Sequence, residues 1–349
     1  MDLSFLGRKK RTARNSICWI VGTSVSIEAG GYASKLAARL ASAGMQLRNL
    51  SVGDQTSIMG CMRVLDTEMQ IEATDTVVWE YSLLDTLLVE EAYVPEDDVI
   101  RARRVAWRHI LLRGARLIVL MTPPKKHLAR RSPLESLCAA DAAQLGLTVI
   151  DLRDLFKQLG TVDAQAEYRD DRHPRIDSPV VERTVDSVLQ AIDAPAAVRN
   201  GVLAAWTAAH ALDAWKWHSA ERLAESSGLP LADFSNSLVS LRALSLDMDR
   251  PLHVDTASRI VAAGIVSTHE SGSLWCRHPR CAPASTRLPA DLDYAFLLRT
   301  TALPCLSPHI SELGCAPDYA YFRGNWADYG QKLIDRPGPV FLSGLLTAA

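Results

Sequence analysis

Ile20-Val21-Gly22-Thr23-Ser24-Val25-Ser26 is the stretch on which the reading of this chain turns. It closes an apolar run, residues 17–22, on a glycine and hands over to a serine in a tight turn. Such a turn lifts a hydroxyl clear of a sheet edge. A serine placed there attacks as a nucleophile once a base takes its proton and a third group orients the base. Much later, Tyr168-Arg169-Asp170-Asp171-Arg172-His173-Pro174 sets Asp170 three residues before His173, so one turn of chain holds both a base and its orienting carboxylate. Neither segment means much alone, and the case for a site rests on where the strands put them.

Working outward from the first segment, strand-like and helix-like stretches alternate. Residues 32–43 carry apolar residues at helical spacing and stop at Gly44. Residues 46–52 read as a second strand ending at Gly53, and 57–65 as a helix. Residues 76–81 are β-branched and aromatic, a third strand. A charged amphipathic helix over 97–113 is stopped by Gly114, and a fourth strand over 115–121 is broken by Pro123-Pro124. A helix over 132–145, a fifth strand over 147–152 and a closing helix over 179–192 complete the series. Such alternation predicts α/β architecture, a three-layer α/β/α unit with a five-stranded parallel sheet covered on both faces. Ligands in such folds sit beyond the carboxyl ends of the strands. The loops carrying Ser24, Gly53, Ser82 and His173 are all expected at that edge.

The remainder has another texture. Residues 198–225 are rich in alanine and tryptophan and read as a helical connector. From about residue 234 short alternating runs (238–246, 259–267, 294–298) predict a β-rich accessory domain, sandwich or jelly-roll-like. The expected division is 15–195, a helical connector over 196–232, and a β-rich domain over 233–349.

The 349 residues are 48% hydrophobic and 22% charged, with a formal net charge of −2, which argues against a nucleic-acid-binding surface. The basic run Arg8-Lys9-Lys10-Arg11 reads as a solvated tail, and the arginines of the 97–113 helix (Arg101, Arg103, Arg104, Arg108, Arg113) as a solvated face. No secretory signal and no stretch of membrane-spanning length is evident, so a soluble, cytoplasmic protein is expected. Seven cysteines fit reduced thiols. Cys276, Cys281, Cys305 and Cys315, with His278 and His309, form the only cluster with ligand-like spacing, but not that of a common zinc finger. Free thiols, no metal and no cofactor are the expectation. Trp206, Trp215, Trp217 and Trp275 read as core packing, with stacking on sugar rings as the alternative.

Four blocks of this chain resemble those of the SGNH, or GDSL-type, hydrolases: Gly22-Thr23-Ser24, the stretch Ser51-Val52-Gly53-Asp54-Gln55-Thr56-Ser57, the stretch Trp79-Glu80-Tyr81-Ser82-Leu83-Leu84-Asp85, and Asp170-Asp171-Arg172-His173-Pro174. The resemblance covers roughly residues 15–195 and is nearest to a bacterial, polysaccharide-associated subset. It implies a flavodoxin-like fold, Ser24 as nucleophile, His173 as base, Asp170 as its orienting partner, and the N–H groups of Ser24 and Gly53 as oxyanion donors. Glu80, Tyr81 and Ser82 would be substrate contacts, with Glu80 and Asp85 a second carboxylate pair in structure or substrate contact. One departure stands out: Leu84 falls where the family carries an asparagine that completes the oxyanion hole. The resemblance implies a serine esterase or O-acyltransferase acting on a small-molecule or polysaccharide ester. The alternative is a catalytically impaired scaffold that binds a saccharide or a protein partner in polysaccharide assembly.

Overall fold

A computed structural model describes residues 16–66, 69–194, 200–236, 240–247, 249–254, 259–277, 284–286, 289–290, 296–302, 310, 312–315, 320–321, 332–333 and 338–348. The basic run at Arg8-Lys9-Lys10-Arg11 lies outside them, as do His278, Cys281, Cys305 and His309.

The first unit runs β1 (Ile17–Gly22), α1 (Ser24–Ile27), α2 (Tyr32–Ser42), β2 (Gln46–Asn49), α3 (Ser57–Leu65), β3 (Thr76–Glu80), α4 (Ser82–Glu90), α5 (Glu96–Leu112), β4 (Arg116–Met121), α6 (Pro133–Leu145), β5 (Thr148–Asp151), α7 (Leu152–Gln158) and α8 (Pro179–Asp193). Its five strands are all parallel, in the order β2-β1-β3-β4-β5. β1 lies between β2 and β3, so the chain reverses its winding direction at β1, and a crevice opens there beyond the carboxyl ends of the strands. β1 and β3 are buried along their whole length, as strands covered on both faces must be. β2 is an edge strand with mostly exposed residues. One apolar cluster joins the sheet to α3, α5 and α6, and a second joins its other face to α2, α7 and α8. The helix starts follow local chemistry. Ser132 and Glu135 form a capping box ahead of Pro133, and Ser178 caps α8 ahead of Pro179.

α4 and α7 were not anticipated. The run Leu83-Leu84 with Leu87-Leu88 is buried on more than one side, with Leu88 in one apolar cluster and the other three in the second, so it lacks the polar face that marks a surface helix. The arginine face of α5 also differs from the solvated reading. Arg103 is fully buried, 2.8 Å from Asp141, which Arg104 grips as well, while Arg101, Arg104 and Arg108 are half-buried and Arg113 is exposed.

The second unit holds α9 (Asn200–Ala209), β6 (Trp215–Ser219), α10 (Ala220–Ser227), β7 (Leu231–Ser235), β8 (Ser240–Leu246), β9 (Leu252–His253), β10 (Arg259–Ser267), β11 (Leu274–Arg277), β12 (Ala284–Thr286), β13 (Pro289–Ala290), β14 (Leu297–Ala302), β15 (Glu312–Cys315), β16 (Ala320–Tyr321), β17 (Lys332–Leu333) and β18 (Val340–Ala348). One sheet has the order β14-β10-β18-β8-β7, with β6 also paired to β18; another has the order β16-β12-β11-β15-β9. A core of Leu244, Ile260, Ile265, Val340 and Leu342 from the first sheet against Leu274, Cys276, Leu313 and Cys315 from the second makes this a sandwich. The stretch Trp215–Ser219, read as helical, is a strand. Trp215, Trp206 and Trp275 are buried core residues, and Cys276 and Cys315 are buried thiols. Among the described residues no helix is long and apolar enough to cross a membrane.

Candidate active site

The turn at the end of β1 is set by Gly22. A Cβ at this position would stand 2.6 Å from the Ser26 hydroxyl and 2.9 Å from the Glu80 carbonyl, so only glycine lets β1 end this close to β3. Ser24 follows as the first residue of α1 and is half-buried. Its Oγ is 2.8 Å from His173 Nε2. His173 Nδ1 is 2.9 Å from each carboxylate oxygen of Asp170.

The histidine loop is itself tied down. Tyr168 and Pro174 form an antiparallel bridge, and the Tyr168 hydroxyl donates to the Pro123 carbonyl at 2.7 Å. The Lys125 N–H donates to the Asp171 carbonyl, and Arg169 reaches Glu28 beside the serine turn. Asp170 Oδ1 accepts the N–H groups of Arg172 and His173 at 2.8 Å each. Partial burial pushes the Asp170 pKa up, but these hydrogen bonds and the imidazole outweigh it and hold the pKa down to about 2. Asp170 is therefore an anion wherever a protein of this kind works.

Gly53 lies beside the serine. A Cβ built on it would fall 3.9 Å from Ser24 Cβ and 3.5 Å from Ile27, ordinary contact distances, so its bare Cα borders the nucleophile's residue. The Val52 N–H donates to the Gly22 carbonyl at 3.0 Å, which carries the β1–β2 pairing into this loop. The next residue, Asp54, has φ +52°, a left-handed conformation uncommon outside glycine.

Glu80, Tyr81 and Ser82 lie beneath the site rather than in it. Glu80 and Tyr81 have no exposed surface and Ser82 very little. Glu80 Oε2 accepts the Thr23 N–H at 3.0 Å, the Thr23 hydroxyl at 2.9 Å and the Ser26 hydroxyl at 3.0 Å. Ser82 Oγ accepts the Thr122 N–H and donates to the Thr122 carbonyl. Glu80 and Ser82 are thus spent on the turn and the sheet edge, and the Tyr81 ring packs against Trp79 in the apolar cluster, which is why substrate contact does not suit the three. Burial pushes the Glu80 pKa up to about 7 despite those hydrogen bonds. Asp85, likewise raised to about 7 by burial, accepts from the N–H and hydroxyl of Ser57 and so fixes the start of α3. Leu84 is fully buried among Ile20, Val25, Leu83 and Leu87. Two contacts with the site escaped the sequence: Arg172 lies 3.7 Å from Asp54, and Arg299 of β14 donates to the Gly53 carbonyl at 3.2 Å. Arg299 is 246 positions from Gly53, and no local pattern announces such a contact.

The architecture is a three-layer α/β/α unit with a five-stranded parallel sheet, joined to a β-rich unit. Among solved structures the chain is similar to a two-domain esterase, CEX, active on acetylated mannans and crystallised with mannopentaose. The likeness covers 96% of this chain and 91% of that one, with a TM-score of 0.58 and 9% identity. The protein YxiM of Bacillus subtilis aligns over 51% of this chain and 56% of its own, at 15% identity and TM-score 0.39. TesA aligns over 51% and 98%, at 19% identity and TM-score 0.37. No family model matches the chain, and no curated protein matches it by sequence.

Proposed function

We propose that this protein is a serine esterase acting on a carbohydrate ester, with Ser24 as nucleophile, His173 as general base and Asp170 as the group that orients it. The observation that carries the reading is the 2.8 Å contact of Ser24 Oγ with His173 Nε2, continued at 2.9 Å to Asp170. For Nε2 to accept the serine proton, Nδ1 must carry hydrogen, and the ionised Asp170 favours that tautomer. Ser24 Oγ attacks the ester carbonyl carbon while Nε2 takes its proton. The N–H groups of Ser24 and Gly53 receive the oxyanion. Collapse breaks the bond to the sugar oxygen, which leaves with the proton from the imidazolium. The acyl-enzyme then passes its acyl group to water, or in an acyltransferase to a sugar hydroxyl. The carbohydrate part of the reading is supported by the two-domain arrangement shared with the acetylmannan esterase.

A second reading draws on Leu84. With leucine buried where the family has an amide donor, the oxyanion hole keeps only backbone donors, and losing one donor typically costs about 10²–10³ in turnover. In that reading the chain binds a saccharide or partner without turnover. A fluorophosphonate probe decides. Covalent labelling located at Ser24 by mass spectrometry, with acetate released from acetylated mannan and both lost in Ser24→Ala, supports the esterase. A native chain that takes no label and releases no acyl group leaves the binding scaffold.

A further inference from the structure

We infer that Arg299, carried by the β-rich unit, is a positioning residue for the oxyanion loop of the α/β unit, so that the second unit completes a site it does not line. The inference rests on the assignment of the Gly53 N–H as an oxyanion donor. The loop is held from both sides. On one side the Val52 N–H is bound to the Gly22 carbonyl at 3.0 Å. On the other, Arg299 Nη1 donates to the Gly53 carbonyl at 3.2 Å. The second contact fixes the peptide plane that follows Gly53 and the first fixes the plane that precedes Val52, so the two bracket the Val52–Gly53 peptide whose N–H is assigned to the oxyanion. Arg299 is almost fully buried and so has little freedom to swing away.

Asp54 extends the clamp. Its carboxylate stands 3.7 Å from Arg299 Nη2 and 3.7 Å from Arg172 Nη1. A non-glycine residue at φ +52° persists only where its surroundings hold it, and two guanidinium groups on one short carboxylate do so here. Arg172 directly precedes His173, and its N–H is bound to Asp170. One carboxylate therefore links the oxyanion loop, the histidine loop and the second unit. Apolar contact runs alongside: Val52 and Met59 pack in one cluster with Ala243, Val266, Phe296 and Leu298 of the sandwich.

The test uses the full chain with p-nitrophenyl acetate and a fluorophosphonate, on the native protein and on Arg299→Gln, Arg299→Lys and Asp54→Asn, with thermal melting alongside. A loosened donor forfeits part of the about 10²–10³ that an oxyanion donor supplies. Arg299→Gln is therefore expected to lose about tenfold or more in kcat, with KM within about twofold. Labelling of Ser24 should slow in parallel, because the phosphoryl oxygen uses the same donors. Arg299→Lys, which keeps a cationic donor, should recover most of the loss, and Asp54→Asn should fall between. Should Arg299→Gln fail to fold, Asp54→Asn decides, since its side chain is partly exposed and removing the carboxylate charge loosens the hold on the Arg299 guanidinium that bonds the Gly53 carbonyl. Native kcat and labelling rate in folded Arg299→Gln or Asp54→Asn overturn the inference. So does a change confined to KM, or a lysine variant as slow as the glutamine one. A native chain that Ser24 labelling does not touch overturns the esterase reading and the inference with it, whereas a labelled native chain with indifferent variants overturns the inference alone.

Discussion

Replacing Glu80 by glutamine should uncouple the stability of the serine turn from pH. Burial pushes the Glu80 pKa up to about 7 from the ordinary 4.5; the hydrogen bonds from Thr23 and Ser26 oppose that rise and the Asp85 charge adds to it. A carboxyl whose pKa is raised in the folded chain keeps its proton there after the unfolded chain has lost it. Its contribution to stability is whole below about pH 4.5 and drains away as pH rises to about 7. The gap corresponds to roughly 3 kcal/mol. For a domain of this size that is about 6–12 °C in Tm. Glutamine is neutral at every pH. Its side-chain oxygen accepts the three donors that Glu80 Oε2 accepts now, and its amide nitrogen replaces Oε1, a buried atom without a hydrogen-bond partner. The cost of that orphan amide does not vary with pH, and Asp85 is present in both proteins. Melting curves followed by circular dichroism from pH 4.5 to 8 should show the native protein losing about 6–12 °C relative to Glu80→Gln. Two Tm curves that stay parallel across this window would refute the reasoning.

Asp170→Asn should lower kcat on an activated ester by about 10⁴-fold with little change in KM, because an amide facing Nδ1 favours the wrong imidazole tautomer; steady-state kinetics check this, and a loss under tenfold would detach Asp170 from the chemistry. Gly53→Ala should melt within a few degrees of the native protein, since its methyl meets Ile27 and Ser24 at ordinary distances of 3.5 and 3.9 Å. Turnover should nonetheless fall by about 10², because the methyl crowds the close approach of the oxyanion to the Gly53 N–H; a variant as fast as the native chain would place the oxyanion elsewhere.

The α/β unit is legible in the sequence because its strands are short apolar runs ended by Gly22, Gly53 or the Pro123-Pro124 pair, and its surface helices keep a polar face. β10 and α3 fall where the pattern puts them. The meeting of Ser24 with His173 follows from strand order, since both loops leave the same sheet edge, and Asp170 comes with the histidine on one turn. What the pattern hides has physical reasons. α4 is apolar on several sides, so its period is invisible. Trp215-Lys216-Trp217-His218 alternates as a strand should, but the alanine-rich stretch before it suggests a continuing helix, and only pairing with β18 settles its state. Glu80 reads as a polar group near substrate, because burial is not visible in a residue name. Arg299 at Gly53 is a contact between units, which neither unit's own periodicity encodes.

β6 and β18 are the entry and the exit of the sandwich, and they are antiparallel neighbours, with Trp215 opposite Ala348 and Ser219 opposite Gly344. The unit is thus a closed loop fastened at its own mouth. Closing so long a loop slows folding, since distant segments must meet before either is rewarded. Once fastened, the loop is forgiving, because closure entropy grows only with the logarithm of its length. Segments spliced into the turns between these two strands should cost little stability. A chain cut at such a turn should hold together in solution, with its two pieces kept in register by the paired strands β6 and β18.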